Sequence, residues 1–175
     1  MGSVWRSWEV VSVSIVTDLL DKRGVTFEVI PHGQAYTSIA EATALGIAAD
    51  EVLKALVLDT SSGHALAVVP GSRRLHMRSV EKALGAKHVR LATEEEIETS
   101  FPGYELGALP PIGSLFGIQT FVDPDVMEHD TVVFAAGSRV ESVKLRTEDL
   151  FRDEPVTIAP LTRSSTTGEE ASDAR

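Results

Sequence analysis

Three places in the 175-residue chain carry residue types able to do chemistry. Lys54 stands in an apolar run, Val52-Leu53-Lys54-Ala55-Leu56-Val57-Leu58. A lysine there either snorkels its ammonium to the surface or faces a polar cavity. The segment Gly107-Ala-Leu-Pro-Pro-Ile-Gly113 holds two glycines and two prolines. Proline fixes φ and removes an N–H, while glycine admits positive φ and close approach, so such a loop presents its remaining backbone groups in a fixed array. Fixed backbone groups can stabilise an oxyanion or orient water without a catalytic side chain. The same composition also serves a purely structural turn. Third, Phe134-Ala-Ala-Gly-Ser-Arg139 ends a strand-like run in Gly137 and puts Ser138 and Arg139 at a hairpin tip.

The chain lacks other familiar machinery. It has no cysteine, which excludes a thiol nucleophile, a disulfide scaffold, a zinc finger and an iron–sulfur site. It has no phosphate-binding glycine loop, no GxSxG elbow and no HExxH. His32, His64, His76, His88 and His129 are scattered, and none pairs with another at helical spacing. The expectation is therefore no metal and no cofactor.

The elements that must position these residues alternate along the chain. Ser14–Arg23 reads as a helix stopped by Gly24, and Thr26–Ile30 as a short strand. Ser38 with Glu41 reads as a capping box opening a helix that Gly46 closes. A short turn over Ala49–Leu53 leads into strand Lys54–Leu58, and His64–Val69 returns as its hairpin partner. Helix Ser79–Leu84, strand His88–Ala92 and helix Glu94–Ser100, opened by a Thr93/Glu96 capping box, follow. After the long loop Phe101–Gly113 come strand Gln119–Val122, a turn at Pro124–Glu128, a hairpin of Thr131–Ala135 with Val140–Leu145, and a last helical turn at Thr147–Phe151. Hairpins join only antiparallel strands. The fold class is thus α+β: a single domain with a mixed, mostly antiparallel sheet flanked by short helices.

Composition limits the rest. With 43% hydrophobic and 24% charged residues, the chain is one globular domain with a real core. Its expected limits are an N-terminal arm at 1–13, the domain at 14–155 and an acidic, disordered tail at 156–175. No apolar run is long enough to cross a membrane, and the stretch Val10–Val16 lacks the flanks of a signal peptide, so a cytoplasmic setting is expected. The net charge of −10 argues against bulk nucleic-acid binding, DNA included. Yet Gly71–Arg90 holds six basic residues (Arg73, Arg74, Arg78, Lys82, Lys87 and Arg90) against the single acid Glu81. That stretch is either a solvated helix face or a local phosphate-facing patch.

Order and spacing join these features. A lysine opening a strand, then GxxxPxG, then a strand ending in Ala-Gly-Ser resembles the YbaK/EbsC family, which includes the editing domains of prolyl-tRNA synthetases and Cys-tRNA(Pro) deacylases. The resemblance runs from about Ser14 to Arg152. It takes in His32, Thr37-Ser38-Ile-Ala-Glu-Ala, Ala49-Asp-Glu-Val-Leu-Lys54-Ala-Leu-Val-Leu, Val69-Pro-Gly-Ser-Arg-Arg-Leu, Leu91-Ala-Thr-Glu-Glu-Glu, the Gly107–Gly113 loop and Val122-Asp123.

The resemblance implies a YbaK-like fold and a trans-editing aminoacyl-tRNA deacylase, hydrolysing the ester of a mischarged tRNA with backbone and substrate assistance. The implied substrate is a small amino acid on a tRNA(Pro)-type molecule. Lys54, Gly107, Pro111 and Gly113 would be catalytic, and His32, Thr37, Gly137, Ser138 and Arg139 would bind substrate. Arg73, Arg74 and Arg78 would meet the acceptor stem, and an aminoacyl-tRNA synthetase is a further implied partner. One departure matters: many editing members carry histidine where this chain has Arg139. Arginine stays charged and does not shuttle a proton. The alternative is therefore an inactive relative that binds an aminoacyl or nucleotide ligand or docks on a synthetase.

Overall fold

The longest apolar runs make the centre of a sheet. In the computed structural model, which describes residues 7–163, β2 (Val52–Thr60) and β3 (Gly63–Pro70) pair antiparallel from Leu53↔Pro70 to Thr60↔Gly63. Six consecutive residues of β3, Ala65–Pro70, are buried, because elements cover both faces of the sheet. Around this hairpin run β1 (Phe27–Pro31), β4 (Arg90–Leu91), β5 (Gln119–Val122), β6 (Thr131–Ala135), β7 (Glu141–Arg146) and β8 (Val156–Ile158). The order is β1-β7-β6-β2-β3-β5-β8, with β4 paired to the end of β2. The β1·β7, β6·β7, β2·β3 and β2·β4 pairings are antiparallel, and β2·β6, β3·β5 and β5·β8 are parallel. The class is the expected α+β with a mixed sheet.

Alternation along β2 sends its side chains to two cores. Leu53 and Val57 join Phe134, Val143 and Leu145 under α1 (Ser7–Lys22) and α5 (Thr147–Phe151). On the opposite face, Leu58 packs with Ala67, Val69 and Phe121 against Val80 of α3 (Met77–Leu84), while Val52 and Val133 pack against Ala42 of α2 (Ser38–Leu45). Lys54 is two residues beyond Val52 and shares its face. A fourth short helix, α4 (Glu94–Ser100), has the expected capping box of Thr93 and Glu96.

Several expectations need correcting. The first helix starts at Ser7 rather than Ser14, so residues 7–13 of the assigned arm are helical; Trp5 and the rest of that arm lie outside the described residues. Thr37, not Ser38, caps α2: its hydroxyl accepts from the Ala40 N–H at 3.1 Å, and Glu41 turns its carboxylate elsewhere. The assigned tail begins too early. Residues 156–158 form β8 beside β5, Leu161 is fully buried, and the buried Asp123 carboxylate accepts from Leu161 N–H, Thr162 N–H and the Thr162 hydroxyl. Those three bonds satisfy Asp123 and outweigh the polar composition of the segment. The acidic residues beyond Arg163 lie outside the described residues.

Candidate active site

The sheet has an opening in its middle. β6 pairs with β2 only at Val52↔Val133 and Leu53↔Phe134, and β4 takes the same strand from Leu58 onward. Between them, Lys54, Ala55 and Leu56 have no strand on that edge. Parallel strands that part in this way leave a crevice between them. Lys54 is half-buried at this edge. Burial, and secondarily the Arg74 guanidinium, push its ammonium below the ordinary lysine range. Among the described residues no carboxylate pairs with it.

The proline-rich loop closes the other side. Beyond β6, Gly137 N–H bonds the Ala108 carbonyl at 2.7 Å, and Glu105 N–H bonds the Gly137 carbonyl at 3.0 Å. Leu109 and Ile112 root the loop in the core under α1. Gly107 is exposed with φ +78°, and a Cβ there would lie 3.1 Å from the Tyr36 carbonyl oxygen. Pro111 and Gly113 are buried. A Cβ on Gly113 would lie 2.0 Å from Thr120 Oγ1, so this glycine permits close packing of the loop on β5. Of the three loop residues assigned to catalysis, only Gly107 thus reaches the surface.

Arg139 and Tyr36 lie next to Gly107. The Arg139 side chain donates to the Leu106 carbonyl from Nε at 3.1 Å and Nη2 at 2.9 Å, and its backbone N–H bonds Glu105 Oε2 at 2.6 Å. Its guanidinium carbon sits 4.7 Å from the centroid of the Tyr36 ring. Ala35 N–H bonds the Arg139 carbonyl at 2.9 Å. Ser138 is buried, and its hydroxyl accepts from Val140 N–H at 3.2 Å, which closes the hairpin tip. One residue past Tyr36 is the cap Thr37. Ser38 abuts Gly71, where a Cβ would meet Ser38 Cβ at 2.7 Å, and Gly71 N–H bonds the Val52 carbonyl. Residues 36–38 therefore run from the loop to the start of β2, two residues before Lys54.

His32 leads into a buried relay. Its Nδ1 lies 2.6 Å from the Gly33 carbonyl, which can only accept, so Nδ1 carries a hydrogen. Its Nε2 lies 2.8 Å from Ser142 Oγ, which in turn bonds Glu41 Oε1. Ser142 has one proton to give. Either it goes to Glu41 while Nε2 donates to Ser142, or Glu41 holds its own proton and Ser142 donates to Nε2. Burial pushes the Glu41 carboxyl up, against the opposing pulls of Ser142 and His32. The sequence reading missed Glu41 and Ser142 as a pair. The available signal was a carboxylate between two alanines of α2 and a serine at an inward position of β7.

The basic stretch divides. Arg73 bridges Asp125 at 3.3 Å and donates to the Arg163 carbonyl. Arg74 is exposed and near enough to Lys54 to lower its basicity. Arg78 lies exposed on α3.

A profile of the aminoacyl-tRNA editing domain matches residues 32–152, which span both sides of the crevice. The chain belongs to the aminoacyl-tRNA editing family. The EbsC protein of Enterococcus faecalis, provisionally named a Cys-tRNA(Pro)/Cys-tRNA(Cys) deacylase, is 30% identical over 115 residues, covering 65% of this chain and 68% of that protein. The proline–tRNA ligase of Pelobacter propionicus is 35% identical over 88 residues, which are 49% of this chain and only 15% of the ligase. A solved structure described as a candidate trans-editing enzyme for prolyl-tRNA synthetase superposes with a TM-score of 0.77 at 24% identity, over 87% of this chain and 98% of its own. The chain thus carries an aminoacyl-tRNA editing domain, and its fold is that of the solved trans-editing candidate.

Proposed function

We propose that this editing domain acts in trans, in the cytoplasm, on tRNA(Pro)-type molecules mischarged with a small amino acid. The observation that carries the reading is Lys54: a half-buried cation with no counter-ion among the described residues, at the opening between β2 and β6. Withdrawing an ammonium from water strengthens its pull on the anion or carbonyl that reaches it. In this reading Lys54 holds a phosphate or the aminoacyl carbonyl of the tRNA end. Gly107, whose N–H bonds no group of the described residues, supports the developing oxyanion.

Water adds to the ester carbonyl, the bond to the ribose oxygen breaks, and that oxygen leaves with a proton from the attacking water. The neighbouring ribose hydroxyl assists the transfer. Ala135, which follows the last β2·β6 rung, would set the size limit for the amino acid in this reading. Arg74 and Arg78 would meet the acceptor stem, with Arg73 holding the loop before α3. A synthetase that releases the mischarged tRNA is the corresponding protein partner.

The test is deacylation of tRNA(Pro) charged with alanine or cysteine, and of tRNA(Ala) charged with serine, by wild type and Lys54→Ala. Hydrolysis of at least one substrate, lost in Lys54→Ala, is expected. Equal rates with and without the lysine overturn its role. A second reading has one specific observation behind it: Arg139, where many relatives carry histidine, commits Nε and Nη2 to the Leu106 carbonyl and its face to Tyr36. A folded protein that binds tRNA but hydrolyses none of the three would favour a binding module.

A further inference from the structure

The proposed chemistry leaves Tyr36 unused. Its side chain is 60% exposed, although large aromatic rings are usually covered. One face of the ring is stacked by Arg139, whose Nε and Nη2 are both fixed on the Leu106 carbonyl. Nη1 bonds no group of the described residues. The backbone on both sides is anchored: Ala35 N–H holds the Arg139 carbonyl, and the Tyr36 carbonyl lies against Gly107. A rigid, solvent-facing ring backed by a guanidinium with a spare donor is suited to one ligand class. Unpaired bases stack on aromatic and guanidinium planes, and arginine takes the adjoining phosphate.

We infer that Tyr36 and Arg139 form a platform for the 3′-terminal nucleotide of a single-stranded acceptor end. The base stacks on the open face of Tyr36, and Arg139 Nη1 takes the phosphate preceding the terminal nucleoside. The segment 36–38 runs from this platform to the start of β2, so the ribose and its ester are carried toward Lys54. This deepens the deacylase reading and rests on it for the identity of the nucleotide. Pre-anchoring of both side chains lowers the ordering cost of binding.

The experiment uses an uncharged RNA hairpin ending in single-stranded CCA, with the last adenine replaced by 2-aminopurine, titrated with the full chain. Stacking quenches the fluorophore. Wild type and Tyr36→Phe should quench it saturably. Tyr36→Ala should lose the quench and weaken binding by about tenfold. Arg139→Gln should weaken binding and lower the salt slope by about one. Because Tyr36 is exposed, Tyr36→Ala should melt like wild type, which separates binding from folding.

No quench by wild type, or the same quench by Tyr36→Ala, overturns the platform. If the quench depends on Tyr36 while no charged tRNA is hydrolysed, the platform stands and the deacylase reading falls. If hydrolysis depends on Lys54 while Tyr36→Ala keeps the wild-type KM and quench, the platform alone falls.

Discussion

Arg23 and Lys54 are both cations drawn out of water, and they are treated in opposite ways. Arg23, at the end of α1, has a side chain 14% exposed and lies 2.9 Å from Glu154, whose own side chain is fully buried. Glu154 also accepts from the Ser114 N–H and hydroxyl, each at 2.8 Å. Every charge there has its partner inside the chain. Lys54 has none among the described residues, and the charge felt most strongly is a second cation, Arg74. A buried ion pair serves the fold once formed, because removing one member strands the other. A buried cation kept without an anion costs the fold stability, and its return must come from something the fold does not contain. The contrast supports the proposed role of Lys54 as a group kept for a ligand.

The contrast breaks first in paired variants. Lys54→Ala should lower deacylation by about a hundredfold or more while leaving the melting temperature unchanged or higher. Arg23→Ala should do the reverse. Stranding Glu154 costs about 3–5 kcal/mol, a fall of about 10 °C, with activity per folded molecule kept. Equal loss of activity in the two variants would erase the distinction. Gly113→Ala belongs to the structural side despite its place in the loop: overpacking against Thr120 should cost about 1–3 kcal/mol, read as a lower urea midpoint.

Titration sharpens the comparison further. The folded-state value of Lys54 lies below the ordinary 10.5, so between the two values the unfolded chain binds more protons and stability rises with pH. The advantage of Lys54→Met over wild type in urea melts should thus be greatest near neutrality and shrink as pH climbs toward 10.5. Glu41 has the opposite slope. Its carboxyl is raised above the ordinary 4.5, so stability should fall as pH rises through that window, and Glu41→Gln should remove the fall. The smallest effect is expected from Arg74→Ala: a tRNA salt slope lower by about one, with the fold intact.

The sequence carried the central strands and the helix stops well, because β2, β3 and β6 are apolar runs and Gly24, Gly46 and Gly85 end helices with positive φ. It carried Lys54, the glycine-proline loop and Gly137 as separate features. Their meeting depends on where β6 leaves β2, which no local pattern encodes. The cap of α2 was displaced by one residue because Thr37 and Ser38 are both competent hydroxyls, and only the backbone at Thr37 (φ −136°, ψ 159°) decides between them. Glu41 and Ser142 are separated by 101 positions, and His32 and Ser142 by 110, so their bonds are beyond any window of sequence. A tail over 156–175 follows from the composition after Pro160, which is Ser, Thr, Gly and acid with almost nothing apolar. Three hydrogen bonds to one distant aspartate make residues 156–162 part of the body.

The parallel placement of β8 beside β5 has a consequence for how the protein comes into being. β5 sits between β3 and β8, so its outer edge stays bare until residues 156–158 have been synthesised. At the other end of the sheet, β1 waits for β7. Both outermost pairings thus join segments far apart in the chain, an arrangement of high contact order that slows folding. A nascent chain arrested before Val156 exposes a ready template for strand addition. The segment Leu161–Thr162, held by Asp123, fixes β8 along β5, so that this margin ends in a strand of three residues, too short to be a strong template for its neighbours.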